Sequence, residues 1–290
     1  MDLSPAIRTQ LLVFQRLEIT EHHIYKRLAG IVKPGENRQV LEKISQDELY
    51  HYQNWKKYTA QDVKPNSFAI WKYFLISRLL GFTFGVKLME RGEEKAQANY
   101  ETLRQAIPEI DDWIRDENAH EQALLAMLDE ELLQYAGSVV LGLSDALVEL
   151  TGALAGLTLA FQNTKLVALS GLITGIAAAL SMAASEYLST QSEHTTRKPA
   201  RAALYTGIAY VITVALLILP YLLFQNYYLD LALALTAAVL IIAAFNYYIS
   251  VAKDEPFRKR FIEMTGLSLG VAALSFILGY LIRRLLGIDI

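Results

Sequence analysis

The chain has 290 residues, a formal net charge of -3 and no cysteine. Without thiols there is no disulfide framework, thiolate metal site or cysteine nucleophile, so any metal must be held by carboxylate, imidazole or thioether. The near-neutral balance gives no basis for nucleic-acid binding. An apolar fraction of 53% is high for a soluble domain, whereas 20% charged residues is too many for a wholly membrane-embedded chain.

A split chain resolves the conflict. Charges recur every few residues up to Leu132 and become rare beyond it, so a polar domain, 1–132, is expected ahead of an apolar one, 133–290. The opening residues Met1-Asp2-Leu3-Ser4-Pro5 lack a basic region and an apolar core, and no signal peptide is expected.

Helical periodicity runs over 5–28 and 37–58, with a turn between them that contains Pro34. A crossover at 60–67 leads to a long helix over 68–106, which Pro108 breaks, and a fourth helix runs over 110–134. The stretch 68–89 is apolar, but Lys72, Arg78 and Lys87 argue against a membrane span; its exposed face is expected to meet the membrane surface or a second subunit.

The second of these helices contains Glu48-Leu49-Tyr50-His51 and the fourth Glu117-Asn118-Ala119-His120. Each Glu-x-x-His pair puts a carboxylate and an imidazole on one helical face. Two such helices, with one Glu from each of two others, form the di-metal carboxylate site of a four-helix bundle. Internal symmetry selects the two remaining acids. Glu18 is followed by Tyr25 and Leu28, and Glu93 by Tyr100 and Leu103, at the same spacings. Glu21, Glu90 and Glu94 lie on neighbouring faces as additional or replacement ligands, with Glu90 carried in the expected ligand set. His22 and His23 fit no such pattern and are expected at the surface or behind the ligands.

Five apolar segments follow, over 137–161, 166–190, 200–224, 229–251 and 261–286, each long enough to cross a hydrocarbon core of about 20 helical residues. Arg197, Lys198 and Arg201 follow the second segment, and Lys253, Arg258, Lys259 and Arg260 follow the fourth, whereas the loops after the first and third contribute only Lys165. The basic loops belong on the cytoplasmic side, which places the N-terminal domain in the cytoplasm and the C-terminus outside the cell membrane. Small residues at i, i+4, Gly152 with Gly156 and Gly171 with Gly175, are a close-packing signal. The informative residues are polar ones inside the spans: Asp145 and Glu149 in the first, Met182 and Glu186 in the second, and Glu193 near its end. A carboxylate in a membrane helix is costly and faces a partner or a pathway, and carboxylates with a thioether suit a divalent transition metal.

The first four helices resemble the rubrerythrin branch of ferritin-like proteins, on Glu18, Glu48-x-x-His51, Glu93 and Glu117-x-x-His120. The membrane part resembles the vacuolar iron transporter family, on Ser144-Asp145-Ala146-Leu147 and Ser181-Met182-Ala183-Ala184-Ser185-Glu186-Tyr187. The combination, over essentially the whole chain, is similar to membrane-bound ferritins. The resemblance implies an all-α protein with a ferritin-like four-helix bundle ahead of a five-helix transmembrane domain. It further implies a di-iron site, a homodimer in the lipid bilayer, and proton-coupled export of ferrous iron or manganese, with Asp145, Met182 and Glu186 lining the path between the first spans of two subunits. Here the loop after the second span offers only Glu193 and His194, where vacuolar transporters carry a carboxylate-rich insertion. The competing expectation is a membrane-anchored di-iron ferroxidase or peroxidase.

Overall fold

The computed structural model describes residues 4–32, 34–97, 107, 110–126, 135–193, 197–253 and 255–286. Within them the protein is all-α, in ten helices: α1 (Pro5–Ile31), α2 (Glu36–Thr59), α3 (Ser67–Leu80), α4 (Phe82–Gln97), α5 (Ile110–Ala126), α6 (Ala136–Phe161), α7 (Thr164–Ser192), α8 (Pro199–Leu223), α9 (Tyr227–Lys253) and α10 (Phe257–Leu286). The expected continuations 98–106 and 127–134 lie outside the described residues. The chain divides into two compact units, Met1–Glu130 and Glu131–Ile290.

In the first unit α1 and α2 form an antiparallel pair. The core positions of α1 include Leu11, Phe14, Tyr25 and Leu28, and those of α2 include Leu41, Ile44 and Trp55. These spacings of three and eleven residues, close to whole turns of helix, put each set on one stripe. Ala60, in the left-handed conformation, ends α2. The crossover then runs back beside α1: the Gln15 amide donates to the Gln61 carbonyl at 2.8 Å, and the Asn66 N–H donates to Thr20 Oγ1 at 2.9 Å. Asn66 caps α3 by accepting from the Ala69 N–H at 3.2 Å.

The single helix expected over 68–106 is two helices, α3 and α4, broken at Gly81. Gly81 has φ +97°, a conformation that costs a residue with a Cβ far more than glycine. The reversal is tight, since a Cβ added at Gly85 would lie 1.9 Å from Ser77 Oγ. Periodicity carries through the break because both halves are apolar, and so it hides the turn.

The second unit holds five helices, α6 to α10, each long and apolar enough to cross a membrane, and together they mark a multi-pass membrane protein. Their outward side chains, such as Leu180, Leu188, Leu222, Leu240 and Leu274, are exposed, as lipid-facing residues of a membrane bundle are. The helix α6 is central and packs against each of the other four. Its contact with α10 is closest where two glycines meet: a Cβ added at Gly279 would fall 2.4 Å from the Gly156 carbonyl oxygen. Gly152 faces Val271 on the same helix, and Gly171 and Gly175 of α7 face Leu154 and Val214, so both expected small-residue pairs lie at helix contacts.

Gly279→Val in α10 is therefore expected to destabilise the full chain by about 1–3 kcal/mol through overpacking. Gly270→Val, where an added Cβ meets nothing within 4 Å, serves as the control. Thermal denaturation of the purified protein in detergent measures both, and equal melting temperatures would contradict the α6–α10 contact.

Candidate metal centre and intramembrane carboxylates

On three helices of the first unit the apolar stripe is interrupted at the same register. In α1 the sequence Leu11, Phe14 continues to Glu18 rather than to an apolar residue. In α2 Leu41 and Ile44 lead to Glu48 and His51 and then to Trp55. In α5 Ile110 and Trp113 lead to Glu117 and His120 and then to Leu124. The polar side chains thus form a layer of the core. One apolar cluster, including Leu11, Phe14, Trp55, Ile110 and Trp113, lies on one side of it, and another, including Ile24, Leu28, Leu41, Ile44 and Leu124, lies on the other.

Glu48 and His51 are each 1% exposed. One ligand atom from each of Glu18, Glu48, His51 and Glu117 lies within 4.8 Å of the others. His51 Nδ1 stands 3.6 Å from Glu18 Oε2, 3.6 Å from Glu48 Oε2 and 3.5 Å from Glu117 Oε1. His120 Nδ1 stands 3.0 Å from Glu48 Oε1 and 4.0 Å from Glu117 Oε2. Glu48 and Glu117 therefore each turn one oxygen toward each imidazole. Glu18 Oε2, Glu48 Oε2, His51 Nδ1 and His120 Nδ1 are buried without a hydrogen-bond partner, a costly arrangement unless something fills the space between them. Two atoms bound at about 2.1 Å to one ion lie about 3 to 4 Å apart, so the separations suit shared coordination. Oxygen and imidazole donors suit zinc, iron or manganese.

The outer face of each imidazole is held by a residue that the sequence reading did not single out. His51 Nε2 lies 3.3 Å from Asp116 Oδ2, and His120 Nε2 lies 3.2 Å from Asp47 Oδ2. The pairing is reciprocal, since each aspartate belongs to the other helix. A carboxylate behind an imidazole fixes its tautomer and points the second nitrogen inward. The readable signal was Asp-Glu-x-x-His, which occurs at Asp47 and again at Asp116. Behind Glu18, the Trp55 indole donates to Oε1 at 3.0 Å.

Burial and the nearby Glu48 carboxylate raise Glu18 to about 8, and burial also raises Glu117. Burial pulls His120 down, but the Glu48 carboxylate 3.0 Å away and the other surrounding acids outweigh this and raise it to about 9. His51 is likewise opposed by burial yet held above the usual imidazole value by Glu117, Glu18 and Glu48. The side chains of Glu90 and Glu93, both on α4, and of Glu94 lie outside the described residues. Glu21 and His22 are both buried. His22 Nδ1 is 2.6 Å from the Ser45 carbonyl oxygen and ties α1 to α2.

In the second unit the intramembrane acids are met by hydroxyls. Glu186 is buried and accepts from Ser138 Oγ at 2.5 Å and from Thr190 Oγ1 at 3.5 Å. Glu149 accepts from the buried Tyr210 hydroxyl at 2.8 Å. Leu141, Asp145 and Glu149 share one face of α6, along which Leu141 and Glu149 are exposed and Asp145 is half-exposed. Met182 packs partly buried against the apolar core of the unit. Glu193 caps α7 at the surface and is ion-paired with Arg197. His194 lies outside the described residues. Ser138 and Tyr210 were not singled out in the sequence, because a hydroxyl in an apolar helix carries no distinguishing pattern.

Residues 136–199 match the VIT family. The match spans α6, α7 and the start of α8 and includes Asp145, Met182 and Glu186. Neither the curated proteins nor the solved structures gave a match to the chain.

Two outcomes follow from the first unit's geometry. Below about pH 8 to 9 the site binds protons that an entering cation must displace, so divalent-metal affinity should rise with pH up to about 9, with measurable proton release. PH-independent binding would be the contrary result. Asp116→Asn should weaken metal binding about 10–100-fold while preserving helicity, as titration calorimetry and circular dichroism of the full chain would record.

Proposed function

We propose that this chain is a membrane exporter of ferrous iron, or of the chemically similar manganese ion, whose N-terminal unit is a ferritin-like four-helix bundle with a di-metal site. The observation that carries the reading is the convergence of Glu18, Glu48, His51 and Glu117, in a chain that continues into helices similar to the VIT family.

Glu18, Glu48, His51, Glu117 and His120 would hold the ions. Helix α4 would supply a further carboxylate. Val86 and Met89 are core positions of α4, and the same spacing continues to residue 93. This register favours Glu93 over Glu90 as that ligand. Asp47 and Asp116 hold the two imidazoles in the tautomer that leaves Nδ1 free, and Trp55 fixes Glu18. Iron bound here would supply one-electron redox chemistry, and with dioxygen or peroxide as the electron acceptor ferrous oxidation would be an accompanying activity.

Asp145, Glu149, Met182 and Glu186 form the transport path in the membrane. The cargo exchanges water for these carboxylate and thioether ligands, and Asp145 and Glu186 carry protons in the opposite direction. A carboxylate facing lipid costs a few kcal/mol. The exposed face of α6 with Leu141, Asp145 and Glu149 is therefore covered by a second copy of the chain, giving a homodimer with the path between two α6 helices. Glu193, at the end of α7, is where cations enter, by displacing its ion pair with Arg197. The basic residues after α7 and α9 set the first unit and these loops in the cytoplasm of a cell membrane, with the C-terminus outside.

The second reading is a membrane-anchored di-iron ferroxidase or peroxidase, and the buried nitrogen and oxygen donor set of the first unit favours it. An anchor has no use for the hydroxyl-partnered acids at Glu149 and Glu186. In proteoliposomes, Asp145→Ala is expected to abolish ferrous or manganese transport while the full chain still binds about two ions in its first unit. Undiminished transport by that variant would refute the exporter reading. Ferrous oxidation by the wild type with no transport would favour the anchored oxidase.

A further inference from the structure

The helix α3 carries an apolar face that the metal centre does not use. Phe68, Trp71, Leu75 and Leu79 are 78%, 60%, 52% and 70% exposed. They follow one another by three, four and four residues, so they form one stripe about 16 Å long. The buried residues Ile70 and Ser77 mark the opposite side of α3, and the helix packs on α1. Exposed side chains of this size in a continuous row mark an interaction surface rather than chance exposure.

On α3 itself the charge has one sign. Lys72 and Arg78 are exposed, and α3 contains no acid. The Arg27 guanidinium of α1 lies 4.7 Å over the Trp71 ring, and the Lys72 ammonium lies 4.4 Å over the Tyr73 ring. These contacts hold two cations at the aromatic residues. A second copy docked on this face would bring like charges together, with no carboxylate on α3 to pair them. An anionic lipid surface satisfies both features: apolar side chains enter the acyl boundary while cations meet phosphates, and tryptophan favours that depth. The first unit is covalently joined to five membrane spans, so such a surface is always within reach.

We propose that α3 is an interfacial helix that lies in the plane of the membrane, with Phe68, Trp71, Leu75 and Leu79 in the headgroup–acyl boundary and Arg27, Lys72 and Arg78 on anionic headgroups. The contact seats the metal-binding unit on the bilayer surface. It is independent of which metal, if any, that unit binds.

The sequence provides its own reporter. The three tryptophans are Trp55, Trp71 and Trp113, none of them in a span. Trp55 and Trp113 are buried against each other at 4.1 Å between ring centroids. The full chain is reconstituted into nanodiscs containing phosphatidylglycerol, with or without bromine on the acyl chain. Bromine is expected to quench about a third of the emission, the share of one interfacial indole. Trp71→Phe should remove the quenching, and Lys72→Glu with Arg78→Glu should reduce it, with far-UV circular dichroism checking the fold of each variant. Equal emission in the two lipids would overturn the proposal. If Trp71 were also shielded from aqueous acrylamide in that case, a second copy would be the occupant instead.

Discussion

A carboxylate at a core position of a helical bundle must be neutralised or matched, and that requirement organises the first unit. Glu18, Glu48, His51, Glu117 and His120 all occupy positions that the helical register would otherwise give to apolar side chains. Taken singly, each is a buried or, for Glu117, largely buried polar group with a desolvation cost of several kcal/mol. Together they form one layer in which imidazoles lie between carboxylates. Burial and Glu48 raise Glu18 to about 8, and the surrounding acids raise His120 to about 9, so the layer balances its charge by retaining protons. Orphaned inward-facing atoms, paired with fully engaged outward-facing ones, distinguish such a layer from an ordinary buried salt bridge, where both faces would be matched within the protein.

Support from behind follows from the same constraint. An imidazole offered inward through Nδ1 has to be fixed through Nε2, and the reciprocal bonds from Asp116 to His51 and from Asp47 to His120 do this across α2 and α5. These bonds also link the two helices at the layer, so the ligand geometry and the helix pairing depend on each other. The apolar clusters on either side exclude water and keep the local dielectric low.

The second unit handles its acids differently. Tyr210 serves Glu149, and Ser138 and Thr190 serve Glu186, so these carboxylates have donors that do not cancel their charge. A neutral partner leaves a carboxylate able to take up a cation, whereas a lysine or arginine would occupy it. Close helix contacts at Gly156 and Gly279 bring α6 and α10 together and leave the face with Leu141, Asp145 and Glu149 turned outward.

Much of this was local in sequence and therefore legible there. Five long apolar runs, the change of composition near Leu132 and the two Glu-x-x-His pairs depend only on hydropathy and on the 3.6-residue period, both of which are properties of contiguous segments. Glu18 lies on its helix's buried stripe, and symmetry with a second half of the chain selects it. The break at Gly81 was not legible, because one glycine between two apolar helices looks like any other until its φ is known. His22 could lie at the surface or behind the ligands by sequence alone, and packing buries it against Ser45. The roles of Asp47, Asp116, Ser138 and Tyr210 were decided only by the tertiary structure. Each acts on a residue of another helix, and which helix faces which is set by packing between distant segments, not by the order of residues along one of them.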